Sequence, residues 1–215
     1  MNLHFNLNLL IGLAMGLNLV ALGSSRLPSL IRTMSAQGVL LGIMPMLLES
    51  EFDWRVAAVA LATALGKGIV IPALLRRAMR AVRIERELEP FIGFEVSLLL
   101  GAAATIAAVA VVRWLPLLPE HRNSLLVPGA IATVATGFIL LTGRVKAISQ
   151  VCGYLILENG IYLFGLMLIK STPQLVEAGV LLDLTVGVFV IGIIVDRIQR
   201  AFDSLDTRKL TALRE

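Results

Sequence analysis

The chain has 215 residues, 57% of them hydrophobic, and a formal charge of +4, with a pI of about 9.7 and a mean hydropathy of +0.86. Soluble domains are about 45–50% apolar; here the surplus is gathered into long runs with basic residues at their ends, a membrane pattern rather than a nucleic-acid footprint. A single cysteine, Cys152, excludes an internal disulfide, and with His4 and His121 far apart in sequence no metal or iron–sulfur ligand set is expected in this chain.

The first apolar run, 3–23, is preceded by no Lys or Arg and exceeds a secretory h-region in length. Although Ala21-Leu22-Gly23 loosely resembles a cleavage site, a retained transmembrane helix is expected. After the loop 24–31 and Arg32, a short second span over 34–48 contains Pro45 and ends at the acidic turn 49–53. The third span, 54–75, carries Pro72, which predicts a kink in its final turn. The segment from Arg76 to Glu89 mixes arginines with Glu85, Glu87 and Glu89 and continues that helix into water, where it docks a partner or pairs internally. Pro90 suits the first turn of a fourth helix over 90–115. Spans over 124–142, 147–169 and 174–195 follow, and an amphipathic charged tail runs from Asp196 to Glu215. The expected fold is an all-α integral membrane protein of seven transmembrane helices.

Charge sets the expected orientation. With the N-terminus outside, the inner side holds Arg26, Arg32, five arginines from Arg76 to Arg86, Arg144, Lys146 and the five basic residues from Arg197 to Arg214. The outer side holds Arg55, Arg113, Arg122 and Lys170. Fourteen against four favours N-out and C-in, which an odd number of spans requires. An internal echo links Ser35-Ala36-Gln37-Gly38-Val39-Leu40 with Ser149-Gln150-Val151-Cys152-Gly153-Tyr154. It suggests two parallel three-helix units, 1–89 and 123–215, joined by a linking helix in 90–122, with Ile43 near where an acid would fall in the first copy.

Two carboxylates lie where hydrocarbon is expected. Glu158 is 12 residues before Lys170, and Asp183 is 9 residues after Gln174. At about 1.5 Å per residue they sit roughly 18 Å and 14 Å from the same surface, against about 15 Å for half a bilayer core. An ionisable group at that depth costs at least ~2.5 kcal/mol on insertion scales. Either the pair relays protons, or each acid makes a static hydrogen bond to a neighbouring helix or an ion pair that locks a subunit interface. Lys67, in Gly66-Lys67-Gly68, lies nine residues before Arg76, roughly 14 Å deep. It joins a proton path or forms a structural pair with Glu95, which alone would reach the inner headgroups. Its flanking glycines suit close helix contact rather than phosphate binding. Gln37, Gln150 and Asn159 read as interhelical hydrogen-bond formers and Cys152 as packing. Tyr154 and Tyr162 are each four residues from Glu158, near enough along the helix for either phenol to reach it.

The run from Leu141 to Arg200 resembles the small K-type membrane subunit of respiratory complex I. The resemblance is carried by Gly143-Arg144-Val145-Lys146, then Leu157-Glu158-Asn159-Gly160, then Leu182-Asp183-Leu184-Thr185-Val186-Gly187. The third-helix acid is usually Glu in that family, so Asp183 departs from it by one methylene. At full length, with this K-like unit at its C-terminal end, the chain resembles the hydrogenase-4 component E family, membrane subunits of group 4 [NiFe]-hydrogenase and formate hydrogenlyase-type complexes. The resemblance implies a non-catalytic subunit of the cell inner membrane, set among antiporter-like and complex I-like membrane subunits. The nickel-iron centre and iron–sulfur clusters would sit on soluble hydrogenase subunits, and Glu158 and Asp183 would serve as proton stations. A subunit of a multi-subunit cation/proton antiporter, or a small carrier, is the alternative. A lipid-facing scaffold pinned by its acids is the third reading.

Overall fold

The computed structural model describes residues 2–48, 53–81, 90–116 and 124–167, with positions 178–179, 181–182, 185–189 and 192 beyond them. The main elements are α1 (Asn2–Gly23), α2 (Leu27–Leu48), α3 (Trp54–Leu65), a π-helical turn (Gly66–Val70), α4 (Ile71–Ala81), α5 (Phe94–Val112), α6 (Leu126–Gly143) and α7 (Ala147–Leu166). Among the described residues, five helices are long and apolar enough to cross a membrane: Asn6–Gly23, Leu27–Leu48, Trp54–Arg80, Phe94–Val112 and Leu126–Gly143. The chain is a multi-pass membrane protein. Its α7, 20 residues long, carries Gln150, Glu158 and Asn159 and packs against α6 and α2. The expected span over 174–195 falls mostly outside the described residues, and the segment 82–89 and the charged tail fall wholly outside them.

Two boundaries differ from expectation. Helix α2 starts at Leu27, so Arg32 is an exposed residue within the helix rather than part of a loop. Pro28 stands in its first turn, where a missing N–H costs nothing. Pro90 does not open the fourth helix. It pairs with Arg144 in an isolated bridge, and the N–H groups of Phe91 and Ile92 donate to the Gly143 carbonyl at 2.9 and 3.3 Å. The backbone is committed there to the end of α6, so α5 waits for Gly93 as its N-cap.

Small residues set the spacing between helices, as in bundles where lipid removes the hydrophobic drive for association. A Cβ at Gly38 would lie 2.8 Å from the Lys67 backbone, and one at Gly42 2.7 Å from Ala64, which seats α2 on α3 and the π-turn. Across the α6–α7 pair, a Cβ at Gly153 would lie 2.6 Å from Leu141 N, and one at Gly160 2.6 Å from Val134 N. Both pairings are antiparallel. Gly38→Val is expected to cost about 1–3 kcal/mol by overpacking, read as a lower unfolding midpoint in mixed micelles of rising denaturing-detergent fraction. An unchanged midpoint would mean that the helices do not meet at this glycine.

The buried apolar residues divide by depth. One cluster joins Ala21 and Leu22 with Leu30, Ile31, Met34, Ile71, Leu75, Leu140, Val151, Cys152, Leu155 and Ile156. The other joins Leu7, Ile11, Leu41, Met44, Leu126, Ala130, Tyr162, Leu163 and Leu166. Along α1, α2, α6 and α7 alike, a buried polar residue stands between the two clusters: Asn18, Gln37, Thr133 and Asn159. That layer is the site.

Candidate functional site

Lys67 enters the polar layer through an irregular helix turn. Pro72 has no N–H to return to the Gly68 carbonyl four residues back. The helix widens into the π-turn Gly66–Val70, where the Ile71 N–H reaches back five residues to the Gly66 carbonyl. From α2, the Ser35 hydroxyl donates to the Gly68 carbonyl. Proline thus produces a wider turn carrying the lysine, in place of the simple terminal kink expected. Ser35→Ala is expected to cost about 1 kcal/mol, read by the same micelle titration; no change would show that the Ser35 bond holds nothing in place.

Inside the bundle, Lys67 is 4% exposed. Its Nζ donates to Asn159 Oδ1 at 3.2 Å and lies 5.5 Å from the centre of the Tyr162 ring, a cation–π distance. Asn159 Nδ2 donates to Gln37 Oε1 at 3.1 Å. Gln37 Nε2 donates to Asn18 Oδ1 at 2.8 Å and to the Ala14 carbonyl at 3.4 Å. Asn18 Nδ2 donates to Thr133 Oγ1 at 2.9 Å, and the Thr133 hydroxyl donates to the Gly129 carbonyl at 2.7 Å. Five segments (the π-turn, α7, α2, α1 and α6) are joined in one polar string. Buried amides of this kind are stable because each partner satisfies the next; an unmade bond costs more than a made one gains.

Glu158, 6% exposed, precedes Asn159 on α7. It shares a helical face with Tyr162, whose ring lies beside the lysine. A cavity of about 10 Å³, room for one water at most, is lined by Met34, Lys67, Ile71, Leu155 and Asn159. A Cβ at Gly187 would lie 3.1 Å from Ile71 Cδ1 and 3.6 Å from Leu155 Cδ2, so the stretch 185–189 passes the same wall.

Two of the four candidate residues, Glu158 and Lys67, are therefore buried in the same layer. Asp183 lies outside the described residues. Glu95 is exposed in the first turn of α5, which packs on α1 and α6, whereas Lys67 packs beside α2 and α7; the two do not meet. Gln37 and Asn159 do bond between helices. Gln150 instead donates to the Arg144 carbonyl, six residues back, at 2.9 Å, tying down the turn into α7. Cys152 is packed in an apolar cluster. Among the described residues no group of three or more His, Cys, Asp and Glu is arranged to hold a metal. Sequence reading does not find Asn18 and Thr133, though each is a polar residue in the middle of an apolar run.

Nor does it find Arg144 as a buried group, since its place between two apolar runs suggests a basic loop residue. It is 2% exposed. Its guanidinium donates to the Leu22 carbonyl at 2.7 Å and to the Ile92 carbonyl at 3.4 Å, and stacks 4.5 Å from the Phe94 ring centre. It thereby joins the C-terminal end of α1, the entry to α5 and the α6–α7 turn, with positive charge at the negative end of the α1 dipole. Burial lowers its pKa from the ordinary arginine value.

No family model and no solved structure matches the chain. Among curated proteins, it is 34% identical over 191 residues to the uncharacterized protein Rv0085 of Mycobacterium tuberculosis, covering 88% of this chain and 87% of that one. It is 27% identical over 150 residues to hydrogenase-4 component E of Escherichia coli K12, covering 69% of this chain and 68% of that one, and the Shigella flexneri protein of that name matches equally.

Proposed function

The chain belongs to the family of the Mycobacterium tuberculosis protein Rv0085, and from that premise and its more distant similarity to hydrogenase-4 component E we propose that it is a membrane subunit of a complex I-like, energy-converting [NiFe]-hydrogenase assembly. In this reading it spans the inner membrane seven times, N-out and C-in, α7 being the sixth span, and residues 123–215 form the K-like unit. The C-terminal ends of α1 and α6 meet at Arg144, Leu75 of α4 packs in the same cluster as Leu22 and Leu140, and Arg26, Arg76, Arg80 and Lys146 stand close to these residues in sequence, which supports that side as the cytoplasmic one.

One observation carries the proton reading: an acid, Glu158, and a lysine, Lys67, are buried in the same middle layer of a membrane bundle. Ionisable groups at that depth mark ion paths. Glu158 would hold and release protons, with Lys67 as the neighbouring charge and Asp183 as the next station. Glu95, on the opposite flank, would sit at the headgroups. Cys152, enclosed by apolar side chains, offers a nickel-iron or iron–sulfur group no donor set, so those centres are assigned to soluble partner subunits. Antiporter-like and complex I-like membrane subunits would be its neighbours in the bilayer. Affinity purification of the tagged chain from its native host tests this. Co-purification of a hydrogenase large subunit is the expected result. Antiporter subunits without any hydrogenase would overturn it in favour of the cation/proton antiporter reading.

A further inference from the structure

We propose that Asn159, Gln37, Asn18 and Thr133 are positioning residues for Lys67: a one-way hydrogen-bond ladder that holds the lysine in the middle of the bundle without itself conducting protons. The inference deepens the proposed function, and only its effect on coupling rests on that reading.

The direction of the ladder follows from its two ends. An ammonium only donates, and a backbone carbonyl only accepts. Lys67 donates to Asn159 Oδ1, so the Asn159 amide must present nitrogen to the next group. Gln37 and Asn18 repeat the pattern, and Thr133 passes its hydrogen to the Gly129 carbonyl. Worked backwards from Gly129, the same order results. Turning Asn159 or Gln37 round would set donor against donor and acceptor against acceptor, and turning Asn18 round would set its nitrogen against the Gln37 nitrogen. Each amide oxygen therefore faces the lysine side, with the negative ends of the dipoles toward the positive charge. A proton cannot hop along this string. Each amide would have to be protonated on oxygen and stripped at nitrogen, leaving its imidic acid tautomer. The string therefore insulates while it orients.

A lysine stem in a membrane bundle otherwise tends to snorkel toward the headgroups. Here Asn159 restrains its head, and Gln37 restrains Asn159 by bonding to both Asn18 and the Ala14 carbonyl on α1.

The test uses the full chain in lipid nanodiscs with isotope-labelled lysine side chains. The chain has four lysines, Lys67, Lys146, Lys170 and Lys209, and the Lys67 Nζ signal is assigned by its loss in Lys67→Met. Slow solvent exchange of that signal is expected in the natural chain and in Thr133→Ser, which keeps the hydroxyl. In Gln37→Met, which keeps shape but breaks the ladder, exchange should rise by about tenfold, the equivalent of one net hydrogen bond. Unchanged exchange in a folded Gln37→Met protein overturns the ladder. If that variant does not fold, Asn18→Leu reads the same quantity: faster exchange supports the ladder and unchanged exchange overturns it. In native membranes carrying the complex, Gln37→Met should lower proton movement per hydrogen turned over, with uncoupled turnover unchanged. Faster exchange with intact coupling overturns the positioning role. A natural complex that moves no protons overturns the proposed function, and the ladder is then judged on exchange alone.

Discussion

Glu158→Gln is expected to reduce proton movement coupled to hydrogen turnover by about a hundredfold, the scale of losing one positioned acid–base group, while the complex still assembles. Glutamine has nearly the same shape and keeps hydrogen-bonding capacity, but it cannot release a proton. The residue is 6% exposed in a polar layer bounded by two apolar clusters, so no bulk water can stand in for it. Proton uptake by inverted vesicles, compared with hydrogen evolution in the presence of an uncoupler, separates coupling from assembly. Full proton movement in the variant would reduce Glu158 to a static helix-linking group.

Arg144→Met is expected to lower the stability of the folded bundle by about 2–4 kcal/mol, the loss of two charge-assisted bonds, one to a buried carbonyl and one to a part-buried carbonyl. The Leu22 and Ile92 carbonyls belong to different segments, so both helix ends loosen together. Arg144→Lys should not restore stability, because a lysine head cannot span two carbonyls and stack on Phe94 as the planar guanidinium does. Unfolding in mixed micelles gives the number, and a loss below ~1 kcal/mol, the worth of one ordinary hydrogen bond, would show that Arg144 does not clasp these segments together.

Much of the chain's course can be read from residue order alone. Long apolar runs ended by Arg26, Asp53 and Arg144 locate helices because main-chain groups in lipid must bond within their own segment. The acid at 158 and the lysine at 67 stand out for the same reason. An ionisable side chain in such a run is too costly to be incidental. Which polar residues meet is a matter of packing. Asn18 and Thr133 are 115 positions apart, and no periodicity within α1 or α6 can announce that they bond. Their meeting depends on how closely helices approach at Gly129 against Ile11, Gly38 against Lys67 and Gly160 against Val134. The same holds for Arg144, whose charge alone suggests an exposed loop until the end of α1 and the Phe94 ring close over it. Pro72 shows both levels at once: the missing N–H is written in the residue, but the hydroxyl that bonds the Gly68 carbonyl in its place comes from Ser35 on α2. Sequence by itself determined that helices span a membrane with an acid and a lysine inside them, because local hydropathy and backbone bonding are short-range. Tertiary structure alone decided that the lysine, rather than pairing with Glu95, is held by three amides and a hydroxyl, because partners on separate helices are chosen only when those helices dock.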